Sequence, residues 1–274
     1  MLFLGGTLQP FDAIVSSLFP SIPSSSIVYF SCDHIAPAAN IKTFLLSRSS
    51  RGTQLDFTHK HKYDKEMLSE LLVSMNSIFR VVPNGVVVFF TSYAYMEYVL
   101  KAWSLTTMFN DLKSLKSIFI ESKDSKETST MWSDYTQAAS ISSGAVLFCV
   151  IGGKLSEGIN FSDHLARCVV VIGLPYPDNR DPLLQEKLKY ADKLRAGGGK
   201  ALYDSLCMKA VNQSIGRSIR HVNDFAAVLL FDERYSQDRV HSLLPGWIRR
   251  DVEAPTSFEM VIPKLRGFYQ FHAS

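Results

Sequence analysis

The residues best suited to charge chemistry lie in one short stretch, Leu206 to Arg220, LCMKAVNQSIGRSIR. Placed on a helix at about 100° per residue, Gln213, Arg217 and Arg220 fall within an arc of roughly 60°, and Gly216 beside them leaves the backbone bare. Two guanidiniums and an amide on one edge suit a polyphosphate, because the guanidinium fork matches phosphate oxygens and keeps its charge. The opposite side carries Cys207, Met208, Val211, Ile215 and Ile219, an ordinary buried stripe. Arg and Gln also belong on solvated helix faces, so on these residues alone both readings stand.

A second stretch, GGKLSEGINF, runs from Gly152 to Phe161 after an apolar run. Gly152, Gly153 and Gly158 let a backbone approach a ligand closely, while Lys154, Ser156 and Asn160 offer charge and hydrogen bonds. The phosphate-loop pattern G-x-x-x-x-G-K-[ST] occurs nowhere in the 274 residues. The GGGK of Gly197 to Lys200 fails it because Ala201 follows, and reads as a surface loop. His59 and His61 have no third ligand close in sequence, so no metal site is assigned. No nucleophile, base and orienter set stands out.

These residues need a scaffold, and the composition allows a large one. With 46% hydrophobic and 20% charged residues the chain has ample material for a core. Its 29 basic residues against 26 acidic ones, net +3, neither require nor exclude nucleic acid. The four cysteines are widely spaced; Cys149 and Cys168 lie in apolar runs and read as buried free thiols of a reducing compartment. No run of about 18 apolar residues occurs, so no membrane partner is expected. Strands are expected at Ile27 to Phe30, Gln54 to Thr58, Val86 to Phe90, Ile118 to Ile120, Ala145 to Ile151, Val169 to Ile172 and Phe225 to Phe231. Helices are expected at Tyr63 to Arg80, Tyr93 to Trp103, Lys123 to Ser142, Leu183 to Leu194, Leu206 to Arg220 and Thr256 to His272, the last broken near Pro263. That alternation predicts an α/β fold, a parallel sheet with helices on both faces. Ligands of such sheets gather at the carboxyl ends of the strands, so the loops after Phe90, Ile151 and Phe231 should share one rim.

In order along the chain, GGTLQP, VVVFFTSY, GGKLSEGINF and QSIGRSIRH resemble motifs III to VI of the superfamily two DNA helicases of the XPD-like, iron-sulfur group. GGT, SEGINF and the run VNQSIGRSIRH to DFAAVLLFDERY are most similar to the chromosome-loss branch, which is tied to sister-chromatid cohesion. The resemblance implies a RecA-like helicase C-terminal domain over residues 21–274, with residues 1–20 the end of domain one and Thr7 in motif III. It implies that Gln213, Arg217 and Arg220, with Gly216, reach across an interdomain cleft to ATP phosphates, the arginines acting as fingers. Glu157, Gly158 and Asn160 match motif V, which couples the nucleotide site to the strand. Thr91, Ser92, Lys154 and Ser156 would contact the backbone of single-stranded DNA, and Tyr93 would either stack on a base or pack at a helix start.

The implied cofactor is ATP with Mg2+, shared with the first domain, and an iron-sulfur cluster is expected only in that other part. Walker A, a DEAH box and the cluster cysteines all lie upstream of motif III in the family, and none is in this sequence. The expectation is therefore the C-terminal half of a 5′ to 3′ DNA helicase, inactive by itself, with Met1 to about Pro20 packing poorly. Its partners would be single-stranded or forked DNA, the first helicase domain, and cohesion or replication proteins in the nucleus. The alternative is a catalytically silent module that binds DNA or protein through the same fold.

Overall fold

The computed structural model describes residues 2, 11, 15, 18–30, 32, 34–141, 143–155 and 159–273. Its strands are β1 Ile41–Leu46, β2 Gly85–Phe90, β3 Ser117–Ile120, β4 Ala145–Val150, β5 Cys168–Ile172, β6 Ala226–Phe231 and β7 Val252–Glu253. They form one sheet in the order β3-β4-β2-β5-β6-β1-β7, and every pairing is parallel. The main helices are α1 Lys65–Phe79, α2 Tyr93–Ser104, α3 Thr107–Leu115, α4 Ser125–Ser140, α5 Pro182–Leu194, α6 Gly198–Ile215 and α7 Val261–Ala273.

The near-continuous apolar strands follow from burial on both faces. Val86, Val88 and Phe90 point into a core closed by α1, α2, α3 and α7, while Val87 and Phe89 point into a second core closed by α4 and α6. Trp103 locks the first layer: its indole donates to the Leu68 carbonyl at 2.8 Å, and its ring packs against Phe90, Phe109 and Phe148.

Several expectations are corrected. Ile27 to Phe30 is not a strand, although its residue types favour one; Val28 is 92% and Phe30 84% exposed. The sheet is instead completed by Ile41–Leu46, which pairs with β6 from Ile41↔Ala226 to Leu46↔Phe231. Its side chains fit both cores, and that fit outweighs local β-propensity. Gln54 makes only an isolated bridge to Arg48. Gly198 to Lys200 are the first turn of α6, not a surface loop. A Cβ on Gly198 would lie 2.3 Å from the Ala191 carbonyl oxygen, and one on Gly199 2.7 Å from that of Leu188, so the glycines let α5 and α6 pack closely. Pro263 does not break α7, because it sits in the first turn, where the missing N–H has no partner to lose. The expectation about Met1 to Pro20 falls largely outside the described residues.

At the amino edge of the sheet, buried Lys116 donates to the carbonyls of Asn84 at 2.8 Å and Ser143 at 3.2 Å. Burial pushes its amine down to about 8 from 10.5. The unfolded chain holds this proton more tightly, so the site's contribution to stability is present above pH 10.5 and lost as pH falls towards 8. Burial also raises the thiols of Cys149, Cys168 and Cys207, whose contribution runs the other way and is lost as pH climbs. Comparison with Lys116→Met separates the two. Between pH ~7.5 and ~10 in urea unfolding, wild type should gain on the variant by on the order of 2 kcal/mol.

Candidate nucleotide and nucleic-acid site

At the carboxyl edge, β2 leads into Thr91 and Ser92. The Ser92 hydroxyl oxygen caps α2 by accepting the Tyr95 N–H at 3.2 Å, and the free N–H groups of that first turn form an anion-binding end. The loop after β4 is drawn beside it, with the Ile151 N–H on the Phe90 carbonyl at 3.0 Å. Holding the two together is Glu121, buried just past β3, whose carboxylate accepts the N–H groups of Val150 and Leu155, each at 2.9 Å. The Tyr93 hydroxyl also bonds to Glu121; burial, then that carboxylate's charge, pushes the phenol up to about 12. Lys123 lies 5.5 Å over the Tyr93 ring, so Tyr93 is engaged in packing at the helix start. Gly153 rests on the same carboxylate, where a Cβ would come within 2.7 and 2.8 Å of its oxygens. Exposed Lys154 donates from Nζ to the Lys123 carbonyl. The loop after Phe231 opens on this edge too, through the Gly173 N–H on the Phe231 carbonyl at 2.9 Å, so the shared rim is formed as expected.

Arg217 and Arg220 lie elsewhere. The helix stops at Ile215, and the edge expected to run from Gln213 through Arg217 to Arg220 is not built. Two side chains terminate it: the Ser218 hydroxyl donates to the Ile215 carbonyl at 2.8 Å, and Asp224 takes the Arg220 N–H at 3.3 Å. Gln213 is exposed on the last turn, and Gly216 is partly buried beyond it. The turn carrying both arginines leads into β6, at the amino edge of the sheet. There Asn40 donates to the Val222 and Asp224 carbonyls at 3.2 and 3.1 Å, and the Arg167 N–H reaches the Gly85 carbonyl at 2.9 Å. A six-residue strand separates the two edges by roughly 17 Å.

Residues 152–155 lie at the carboxyl edge, and 159–167 lead to the amino edge. Lys154 stands at the carboxyl rim. Phe161 is buried edge-on against Phe89 and Trp132, and Tyr135 donates to the Leu165 carbonyl. The same segment grips Arg217, whose guanidinium donates to the Ile159 carbonyl at 3.2 Å while its own carbonyl accepts the Phe161 N–H at 3.0 Å. Asn160 is exposed between them. Ser156, Glu157 and Gly158, like Thr7, lie outside the described residues.

The arginines of the domain differ in how they are paired. Arg167 at the amino edge meets a carboxylate at 2.8 Å, and Arg234 and Arg239, beyond the carboxyl end of β6, each meet one at 2.6 Å. Among the described residues, neither Arg217 nor Arg220 has one. Burial and the Arg217 charge hold Arg220 below the usual arginine range, and burial followed by Arg220 lowers His34, which packs on Trp247 with 4.5 Å between ring centroids. Asp163, His221 and Asp224 cluster within 4.8 Å. Asp224 is already filled by the Arg167 guanidinium and by the N–H groups of Asp163, Arg220 and Phe225, so the cluster is a carboxylate node and not a cation cage. Sequence reasoning passed over Glu121 and Asp224; the available signal was a lone acid abutting a buried apolar run.

Residues 75–251 match the family described as Helicase C-terminal domain, more than half of the chain, and the chain belongs to that family. Within it, the relatives are DNA helicases of the chromosome-loss branch. The chain is 40% identical over 280 residues to ATP-dependent DNA helicase CHL1 of Meyerozyma guilliermondii, covering 98% of this chain and 34% of that protein. It is 39% identical to chl1 of Schizosaccharomyces pombe, with 97% and 32% covered, and 40% identical to DDX11 of Danio rerio, with 98% and 32% covered. The chain thus spans about a third of the length of the curated relatives it matches. Two solved structures share the fold: S. tokodaii Xpd4, with TM-score 0.53 and 17% identity over 84% of this chain and 40% of that one, and an XPD helicase, with TM-score 0.54 and 23% identity over 78% and 35%. The sheet is that of a RecA-like domain.

Proposed function

We propose that this chain supplies the second motor domain of an ATP-dependent DNA helicase, residues 21–274 forming that domain and residues 1–20 belonging to the end of the first. The observation that carries the reading is the pair Arg217 and Arg220, two neighbouring cations that meet no carboxylate among the described residues. Such a pair is relieved by an anion of several charges, and ATP with Mg2+ held by another domain provides one. Gln213, Gly216, Glu157, Gly158 and Asn160 serve the same nucleotide. Single-stranded DNA runs along the opposite edge, its phosphates on Thr91, Ser92, Lys154 and Ser156. Residues 152–155 touch one edge and 159–167 the other, so closure on ATP and reopening after hydrolysis change the grip on the strand and move it 5′ to 3′. The iron-sulfur cluster belongs to the other domain, and the setting is the nucleus, among cohesion or replication proteins.

The test compares this chain with the full-length helicase. With Mg-ATP and single-stranded DNA the chain alone should hydrolyse no ATP above background, yet bind the strand with an affinity that falls as salt rises. The full protein should unwind a 5′-tailed duplex and leave a 3′-tailed one. DNA-stimulated hydrolysis by the chain alone, or unwinding from the 3′ tail, would overturn the reading.

A further inference from the structure

We infer that Asp224 is a positioning residue for the nucleotide arginines: it ties Arg220 and the segment 159–167 to one buried carboxylate. This rests on the reading of Arg220 as phosphate-directed. Asp224 is fully buried, a costly place for a carboxylate unless its lone pairs are filled. They are filled from three directions. The Arg220 N–H arrives at 3.3 Å from the turn after α6, the Asp163 N–H at 3.2 Å from the segment after β4, and the Arg167 guanidinium at 2.8 Å from the head of β5. Its own neighbour Phe225 closes the ring through its N–H at 3.0 Å.

The partners are themselves held. The Arg167 guanidinium lies 3.9 Å over the Phe225 ring, and His272 of α7 stacks on that ring at 4.2 Å and 7° from parallel. Across the node, His221 is bonded to Asp163 at 2.9 Å, a second link between the two segments. Arg220 has no side-chain anchor among the described residues, so its backbone bond to Asp224 is what fixes the root of its side chain. A shift of that root displaces the guanidinium at its tip, and about 1 Å of misplacement at a reacting group costs up to about 100-fold in rate. Asn at this position keeps one acceptor oxygen and turns an amide donor towards an N–H, so it cannot satisfy Arg220, Asp163 and Arg167 together.

The experiment uses the full-length helicase and measures DNA-stimulated ATP turnover. Asp224→Asn should lower kcat by about 10-fold to 100-fold with the KM for ATP moving less than about threefold, the signature of a contact that matters in the transition state. The double variant Arg167→Gln with Asp224→Asn removes both buried charges and keeps the site neutral; it should fold and stay slow. If Asp224→Asn alone fails to fold, the double variant decides. A double variant with wild-type kcat would show that Asp224 merely neutralises Arg167, and the inference would be lost. Slow Arg220→Ala beside a normal Asp224→Asn overturns the inference alone. Normal turnover by Arg220→Ala removes the parent reading and this inference with it.

Discussion

Arg220→Ala in the full-length helicase should lower DNA-stimulated ATP turnover by about 10³-fold or more, the range seen when a finger arginine is lost. The effect should fall on kcat and kcat/KM alike, because in the proposed role the guanidinium meets charge that develops on the transferring phosphoryl group. Folding should be nearly untouched. The side chain is exposed, and the backbone N–H that bonds to Asp224 survives the substitution, so stability should stay within about 0.5 kcal/mol. Arg220→Lys should recover only part of the rate, since an ammonium cannot make the planar two-toothed contact. Arg217→Ala should differ in kind: its guanidinium also holds the Ile159 carbonyl at 3.2 Å, so its loss should weaken strand binding as well as turnover. If turnover by both alanine variants matched wild type, no phosphate could be assigned to this edge.

The two arginines also show what a sequence conveys and what it withholds. Residue type and order suggested two readings of QSIGRSIR, a polyphosphate edge and a solvated face, and the motif order behind the resemblance favoured the first. The helix drawn through it was wrong because helical periodicity registers side chains only. The stop at Ile215 is made by Ser218 and by Asp224, an acid four residues beyond Arg220 that is held in place by tertiary bonds from Asp163 and Arg167. The same blindness placed the first strand at Ile27 to Phe30. IVYF has better strand residues than IKTFLL, but only the latter has β6 beside it and a core on each face. The inner strands β2, β4, β5 and β6 were legible because burial on both faces leaves a continuous apolar run that little else produces. The shared rim of the loops after Phe90, Ile151 and Phe231 was legible from strand order, but the placing of Arg217 and Arg220 on the other edge was not. A crossover returns the chain to the amino edge after every strand, so a motif that follows a helix sits roughly 17 Å from one that follows a strand, and nothing in either motif records the difference.

The carboxyl rim, proposed above to face DNA, depends on one acid, and its removal should be the most damaging single change there. In Glu121→Ala the buried N–H groups of Val150 and Leu155 lose their acceptor, at about 1–3 kcal/mol each, and a cavity is left under Gly153. The expected loss is therefore about 2–6 kcal/mol in urea unfolding, a large part of the stability of a domain this size. Glu121→Gln should lose less, since one amide oxygen can still accept from Val150 or Leu155. The two variants should also separate in strand binding. In alanine, Lys154 and the first turn of α2 lose the carboxylate that holds Tyr93 between them, so affinity for single-stranded DNA should fall even where the domain remains folded. Measured at a temperature well below unfolding, a strand affinity equal to wild type in Glu121→Ala would mean that the two loops keep their places without the acid, and that Glu121 serves the core alone.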